Sequence, residues 1–242
     1  MLWSAHRFNA LATLSPREIA RFQALGEAPV SHRKGARIRG QGDPARGIYL
    51  MIDGWVASSL ILANGARLIQ KIHLAGDILG TPSMVLDRSA DTLTALTEAV
   101  TAFVPEDRMG ALLASEPRLA AVFLMAVQVE RLVLMDMLAT KGHSSAVEQF
   151  AMFLLDLHAR LTPLGLVHDD TFDLPLTQEA IGDVLGITSV HTNRTIRDLE
   201  TQRLIERRGH AVRLLDPAAL RRLAPLPERR LRPDPAWLPR AE

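Results

Sequence analysis

The side chains best suited to a defined chemistry lie close together between residues 189 and 197 of the 242-residue chain. An Arg side chain can bond guanine through two parallel hydrogen bonds, and Asn can bond adenine in the same manner. A small apolar side chain such as Val can contact the methyl group of thymine. Residues able to read base edges therefore occur here at helical spacing: Ser189, Val190, His191, Asn193, Arg194 and Arg197.

Two short helices are predicted to carry these side chains. Thr177 is a good N-cap for the first helix, Gly186 ends it, and Thr188 or Ser189 can cap the second. Two short helices joined by a turn that contains glycine are typical of a helix-turn-helix. The positions expected to face inward are Ile181, Val184, Leu185, Ile196 and Leu199.

A two-stranded hairpin is predicted directly after the second helix. Strand-like residues 204–207 and 211–215 flank a turn at residues 208–210, so the unit is predicted to be a winged helix. Arg207, Arg208 and His210 are placed to contact phosphates, which set register without reading sequence. Together with Thr177 at the start of the first helix, they complete the predicted DNA-binding set.

Charge is unevenly distributed along the chain. Residues 1–175 hold 16 Lys and Arg against 18 Asp and Glu, a net −2, whereas residues 176–242 hold 12 against 9, a net +3. A mildly basic C-terminal part favours an anionic partner. The alternative is a helical hairpin with a solvated charged face that serves as a protein-interaction surface, in a module that binds a nucleotide or metabolite.

Residues 30–105 are predicted to form a small sandwich or barrel of short strands. Glycines separate apolar segments of four to eight residues, and Asn64-Gly65 is typical of a tight hairpin turn. Residues 67–74 should alternate, with Leu68 and Ile72 on one face and Lys71 and His73 on the other. A short helix is expected before this region, from Ser15 to about Leu25.

A long helix is predicted from Pro117 to Lys141 after a short one over residues 105–114. Its apolar stripe is so wide that more than one side must be covered, which favours self-association. The alternative is a central helix between two domains of a monomer. The predicted dimer-interface residues are Leu119, Val122, Phe123, Ala126, Val129, Leu132, Val133 and Met137.

Several classes of function are disfavoured by composition. Without cysteine there is no disulfide, thiolate zinc site or cysteine-ligated iron–sulfur cluster. No signal peptide and no membrane-spanning segment are recognisable, which predicts a cytoplasmic protein. We expect no enzyme, metal or cofactor: His168-Asp169 lacks partner ligands for a metal hydrolase, and Ser83 and Ser89 lack a neighbouring base.

The chain resembles the Crp/Fnr family of bacterial transcription regulators over about residues 15–225. The resemblance rests on the glycine-spaced strands with Gly76-Asp77-Ile78-Leu79-Gly80, the long helix, and the helix-turn-helix with its wing. It implies an α+β fold: an N-terminal β-roll (jelly-roll-like) sensor domain in residues 1–114, a long dimerisation helix in 115–142 and a winged helix-turn-helix in 143–224. Apart from the resemblance, the prolines of residues 225–242 predict a loosely ordered Pro/Arg-rich tail, anchored by Trp237. The resemblance also implies a homodimer that binds palindromic double-stranded DNA. Its further partner would be RNA polymerase, and no contact with membranes is expected.

The predicted effector site departs from the cyclic-AMP-binding pattern of the family. Those members follow the glycine segment with Glu-Leu, whereas this chain has Thr81-Pro82, and its Arg88-Ser89 pair stands closer to Gly80 than usual. A phosphate pocket needs its cation and donors positioned together. We therefore expect Gly80, Thr81, Arg88 and Ser89 to line a sensor site that does not bind cyclic AMP, and haem ligation by His73 is disfavoured.

The predicted recognition helix also differs from the family pattern. Val190 stands where members commonly carry Glu, Asn193 stands where the Fnr branch has Ser, and the Arg matching Arg194 is kept. The resemblance thus implies that a guanine is still read in each half-site, with a different base at the position that the Glu would read.

Overall fold

The structure, a computed structural model, describes residues 3–224, 226 and 229–240. The chain forms two compact units. The first contains the described residues of 1–60, 70–133 and 229–242, and the second contains those of 61–69 and 134–228. The last segment of the chain therefore belongs to the first unit.

Eight short strands form two four-stranded sheets. One sheet has the order β1-β8-β3-β6 and the other the order β2-β7-β4-β5. The longest ladder joins β3 to β8 in antiparallel register, with Leu50 opposite Ala102. The strands are β1 (Val30–His32), β2 (Arg37–Arg39), β3 (Gly47–Asp53), β4 (Val56–Ile61), β5 (Arg67–His73), β6 (Ile78–Leu79), β7 (Thr92–Ala95) and β8 (Ala99–Pro105).

Alternate residues of β3 supply two separate hydrophobic clusters. Ile48 and Leu50 pack in one cluster with residues of the N-terminal helices, while Met51 packs in the other. Side chains of a strand point alternately to opposite faces, so one apolar strand can serve two clusters. At the turn into β4, Gly54 has φ 83°, and an added Cβ would lie 2.1 Å from the carbonyl oxygen of Glu98.

Strand β5 does not show the predicted alternation. His73 is buried although it was expected on the polar face, and Ile69 is buried on that same side. The Nε2 atom of His73 lies 2.7 Å from the Ser58 hydroxyl oxygen, so burial of the ring is accompanied by a hydrogen bond. A strand enclosed on both faces carries buried residues in both registers, which sequence alternation cannot anticipate.

Between residues 3 and 143, four α-helices accompany the sheets. Helix α2 begins with a capping box, in which the Ser15 hydroxyl accepts from the Glu18 amide at 3.3 Å and Glu18 accepts from the Ser15 amide at 2.7 Å. No helix in the described part of the chain is long and apolar enough to span a bilayer. The helices are α1 (His6–Asn9), α2 (Pro16–Gln23), α3 (Glu106–Ser115) and α4 (Pro117–His143).

The apolar stripe of α4 changes its role along the helix. Leu119, Val122 and Phe123, predicted at a dimer interface, are instead buried in the core cluster of the first unit. The N-terminal half of the stripe is therefore covered within one protomer. Farther along, Ala126, Val129 and Met137 are half-buried. The apolar side chains that α4 leaves exposed are Leu124, Leu132, Val133, Leu134, Met135 and Leu138.

Within its described residues, the second unit holds a three-stranded sheet and four α-helices after the end of α4. Its sheet has the order β10-β11-β9, so the predicted two-stranded wing has a third strand, which starts at Thr171. Phe150, Leu154 and Leu157 of α5 are buried. The elements are α5 (Ala146–Leu161), β9 (Thr171–Asp173), α6 (Gln178–Leu185), α7 (Ser189–Thr201), β10 (Ile205–Arg208), β11 (Ala211–Leu214) and α8 (Pro217–Leu223).

Candidate nucleic-acid interface

Helix α6 and the turn that follows it adopt the predicted helix-turn-helix geometry. The Thr177 hydroxyl accepts from the Ala180 amide at 3.1 Å and so caps α6. Gly186 ends the helix at φ 72°, a left-handed conformation that favours glycine. Packing across the turn is tight, because a Cβ added to Gly182 would lie 2.6 Å from the Ile187 carbonyl oxygen.

Helix α7 presents one buried and one exposed face. Thr188 caps it by accepting from the His191 amide at 3.3 Å. The predicted inward residues Ile196 and Leu199 are buried, and so are two threonines, Thr192 and Thr195, that sequence reasoning missed. The exposed predicted residues are Ser189, Val190, His191, Arg194 and Arg197, while Asn193 is half-buried.

The buried threonines satisfy their own hydroxyl groups within α7. Thr192 donates to the carbonyl oxygen of Thr188 at 3.1 Å, and Thr195 donates to that of His191 at 2.9 Å. A hydroxyl bonded to the preceding turn no longer loses hydrogen bonding on burial. Their helical spacing, three residues from Thr192 to Thr195 and four from Thr195 to Leu199, was the signal that could have revealed them.

The predicted wing residues lie on a hairpin whose strands pair antiparallel from Ile205 opposite Leu214 to Arg208 opposite Ala211. The half-buried Arg207 donates from Nε to the carbonyl oxygen of Gly209 at 3.2 Å, which braces the turn. Arg208 is exposed but pairs with Glu206 at 2.6 Å, so part of its charge is compensated. His210 is exposed at the turn.

Two arginines near this surface were not predicted. Arg203 follows α7 with φ 55°, and Arg213 lies on β11; both are exposed. Arg203 comes just after the end of α7, and Arg213 lies on the strand that pairs with β10, so both belong to segments that carry the predicted set. They add cationic side chains to the surface formed by α7 and the hairpin.

Two basic side chains hold α6 from outside the helix-turn-helix. Lys141, in the last turn of α4, donates from Nζ to the carbonyl oxygen of Val184 at 3.4 Å, and burial lowers the pKa of its ammonium group. Arg67 pairs with Asp183 at 2.6 Å. A cation beside the carbonyl end of a helix is favoured by the helix dipole.

The predicted effector residues do not form one group of donors. Gly80 precedes a 3₁₀ turn at Thr81–Val85, and Thr81 donates to Glu130 at 3.2 Å. Arg88 is exposed and donates to the carbonyl oxygen of Gly42 at 3.0 Å, whereas the adjacent Ser89 is buried.

A buried ion pair that sequence reasoning missed lies beside the predicted effector residues. Arg39 pairs with Asp91 and donates to the Ser83 hydroxyl at 3.1 Å. Its guanidinium is so close to Gly80 that an added Cβ would lie 2.5 Å from Nη1. The carboxylate that compensates Arg39 is therefore supplied by the chain itself.

The loop at residues 168–171, considered above as a hydrolase site, is held by hydrogen bonds within the chain. His168 and Thr171 exchange backbone hydrogen bonds at 2.9 and 2.8 Å, and Asp169 has φ 47°. The His158 ring donates from Nε2 to the Asp170 carboxylate at 3.0 Å. Within residues 3–224, 226 and 229–240, no three His, Asp or Glu side chains are grouped as metal ligands.

Comparisons with known proteins agree in both halves of the chain. A family model described as "Cyclic nucleotide-binding domain" matches residues 29–116, and one described as "Crp-like helix-turn-helix domain" matches residues 148–223. The nitrogen fixation regulation protein FixK of Bradyrhizobium diazoefficiens is 30% identical over 214 residues, covering 88% of each chain. The chain belongs to the Crp/Fnr family.

Other Crp/Fnr proteins extend the likeness. The fumarate and nitrate reduction regulatory protein of Vibrio cholerae is 25% identical over 212 residues, covering 88% of this chain and 84% of the relative. The solved structure of FixK2 from Bradyrhizobium japonicum superposes with a TM-score of 0.74 at 25% identity, covering 83% of this chain and 98% of that one. The predicted family, fold class and regulator class are thus confirmed.

Proposed function

We propose that this Crp/Fnr protein is a sequence-specific regulator of transcription that binds palindromic double-stranded DNA as a homodimer. The observation that carries the proposal is the exposed face of α7, where Val190, Arg194 and Arg197 project from a helix whose other face is buried. Arg194 and Arg197 make no hydrogen bond or ion pair with other described residues that would compete with a base. Arg207, Arg208 and His210 on the wing are assigned to phosphates.

The exposed apolar part of α4 supports dimerisation. Leu138 is 76% exposed and Met135 is 54% exposed, on a helix that also exposes Leu132 and Val133. Removing such side chains from water stabilises an interface by about 25 cal/mol per Å² of buried apolar area. Pairing through this surface would give two recognition helices, which fit successive major grooves about one turn apart.

A sensor domain that does not bind cyclic AMP is part of the proposal. The exposed Arg88 bonded to Gly42 and the buried Arg39–Asp91 pair support this assignment. The regulator is proposed to work in the cytoplasm, in contact with RNA polymerase and without a resident cofactor.

Selection of bound duplexes from a random pool tests the proposal directly. Purified protein without added ligand is expected to enrich a two-fold palindrome. Its half-site should contain one guanine pair whose enrichment disappears when Arg194 is replaced by Ala. A parallel selection with cyclic AMP should return the same motif.

Failure to enrich any motif from folded, dimeric protein, with and without cyclic nucleotides, would contradict the proposal. It would favour the alternative in which the helix-turn-helix is a protein-interaction surface. Enrichment only with cyclic AMP would contradict the assignment of the sensor domain and leave DNA binding intact.

A further inference from the structure

The C-terminal segment 229–240, hereafter the strap, is packed on the first unit. Leu238 is 7% exposed and belongs to the same core cluster as Trp3 and Phe8, and Pro235 is also buried. Trp237, the predicted anchor, is 61% exposed. The anchor is therefore Leu238, because its side chain and not the indole reaches the apolar core.

Asp234 supplies the polar half of the attachment. Its carboxylate accepts from the Thr13 amide at 3.1 Å and from the Thr13 hydroxyl at 2.8 Å. Its own amide donates to the carbonyl oxygen of Leu11 at 3.0 Å. Asp234 has φ 45°, a conformation that the flanking contacts must maintain. These bonds join residues more than 220 positions apart in sequence.

Arg118, at the start of α4, links the strap to α2. Its guanidinium pairs with Glu18 at 3.0 Å and with Asp234 at 3.1 Å. It also donates to the carbonyl oxygens of Thr13 and Pro239. Only 13% of the Arg118 side chain is exposed, so its charge is compensated by fixed partners and screened little by salt. The strap completes this arrangement by supplying one carboxylate and one carbonyl.

Prolines in the strap restrict its backbone before it docks. Pro233 and Pro235 flank Asp234 and restrict the backbone, so less conformational entropy is lost on docking. Four exposed arginines accompany these anchors: Arg229, Arg230, Arg232 and Arg240. A released tail would present them as a flexible cationic segment, and such segments bind nucleic-acid phosphates without sequence preference.

We propose that the surface formed by Thr13, Glu18 and Arg118 is a peptide-recognition site for the chain's own C-terminal segment. It reads an aspartate followed four residues later by a leucine. Docking holds the arginines of the strap on the first unit, which lowers non-specific affinity for DNA. The docking stands independently of the proposed function, and its effect on DNA rests on that function.

Amide hydrogen exchange of the full-length protein, followed residue by residue by NMR, tests the docking. The variants Asp234→Ala and Leu238→Ala are compared with the matched control Arg232→Ala, which changes an exposed strap residue. Exchange of the amides of residues 13 and 234 should accelerate at least about tenfold in the first two variants and remain at the wild-type rate in the control. Thr13 and Asp234 amides that exchange in the wild-type protein as in an unfolded peptide would overturn the proposal.

A mixing experiment distinguishes a strap docked on its own chain from one docked on a second copy. Asp234→Ala protein keeps the surface, and Thr13→Val protein keeps the strap. If each strap serves its own chain, mixing the two leaves the Thr13 amide of the Asp234→Ala protein unprotected. Recovery of protection in the mixture would overturn docking within one chain.

The effect on DNA is measured as affinity for a duplex of random sequence at several salt concentrations. Asp234→Ala should bind more tightly than wild type. The slope of log affinity against log salt should be steeper by about 0.9 for each arginine that gains a phosphate contact. Accelerated exchange without any change in this slope would overturn the proposed effect of docking on DNA affinity while leaving the docking established. Absence of DNA binding by every protein would instead contradict the proposed function.

Discussion

Arg194 offers the sharpest test of how α7 reads DNA. The side chain is exposed, one helical turn from Val190 and one from Arg197, and it makes no hydrogen bond or ion pair with described residues that would be lost on truncation. Arg194→Ala should therefore leave the fold and its thermal unfolding unchanged. Any loss of binding then reports the DNA contact alone.

The expected magnitude follows from the hydrogen bonds that one guanidinium can make to a guanine. A good bidentate pair contributes about 1–3 kcal/mol of discrimination against the wrong base. Per half-site this corresponds to a loss of about 5- to 150-fold in specific affinity. The loss should appear at one base pair only, so the variant should bind the original site and a site changed at that pair almost equally.

Two further variants separate hydrogen-bond geometry from charge. Arg194→Lys keeps the positive charge but loses the planar fork, so it should lose most of the discrimination. Arg222→Ala, which removes an exposed arginine of α8, is the matched control and should keep it. Fluorescence anisotropy titrations with the selected duplex and its single-pair variants measure each affinity at fixed salt. Uniform weakening of Arg194→Ala on every sequence, with a salt slope reduced by about 0.9, would refute base reading and make Arg194 a phosphate contact.

Three other predictions concern stability, assembly and pH. Gly186→Ala should lower the free energy of unfolding by about 1–2 kcal/mol, because Gly186 ends α6 at φ 72°. Gly110→Ala, in the interior of α3, should instead raise the free energy of unfolding by about 0.5–1 kcal/mol. Chemical denaturation measures both values, and equal effects of the two substitutions would contradict the argument. Leu138→Glu should shift the protein towards monomer in sedimentation velocity, and Leu166→Glu, a change at an exposed leucine outside α4, should not. The hydroxyl and amide of Thr13 lower the pKa of Asp234, so its contribution to strap docking is complete above the usual carboxyl range and is lost as pH falls through the lowered pKa. The protection of the strap amides, measured against the exchange rate of an unfolded peptide at the same pH, should therefore fall on acidification in wild type. An equal fall in Asp234→Ala would contradict this assignment.

The helix-turn-helix could be predicted because its signals are local. A threonine N-cap, a glycine in the left-handed region and inward residues at helical spacing act within a few residues of one another. The structure places Thr177, Gly186, Ile196 and Leu199 in those roles. The assignment of individual side chains to bases and phosphates stays a prediction, because it depends on contacts that form only in a complex with DNA.

Errors of prediction arose where burial is decided by distant segments. Leu119 and Leu132 look equivalent in the apolar stripe of α4, yet one is buried in the core and the other is exposed. Which one the protomer covers depends on how far the sheets and N-terminal helices extend along the helix. Likewise, Thr171 pairs with β11 to give the wing a third strand, although its own segment is polar.

The sequence alone determined the order of the strand region, the long helix and the helix-turn-helix, because backbone conformation and apolar periodicity are encoded residue by residue. The family was indicated by the resemblance of these segments to known regulators. Tertiary structure alone decided the polar contacts between distant positions. Arg39 meets Asp91 across 52 positions and Asp234 meets Thr13 across 221, so neither pair leaves a local pattern. For the same reason Leu238 and not Trp237 anchors the strap: a side chain is buried only where another part of the chain has built the apolar surface that receives it.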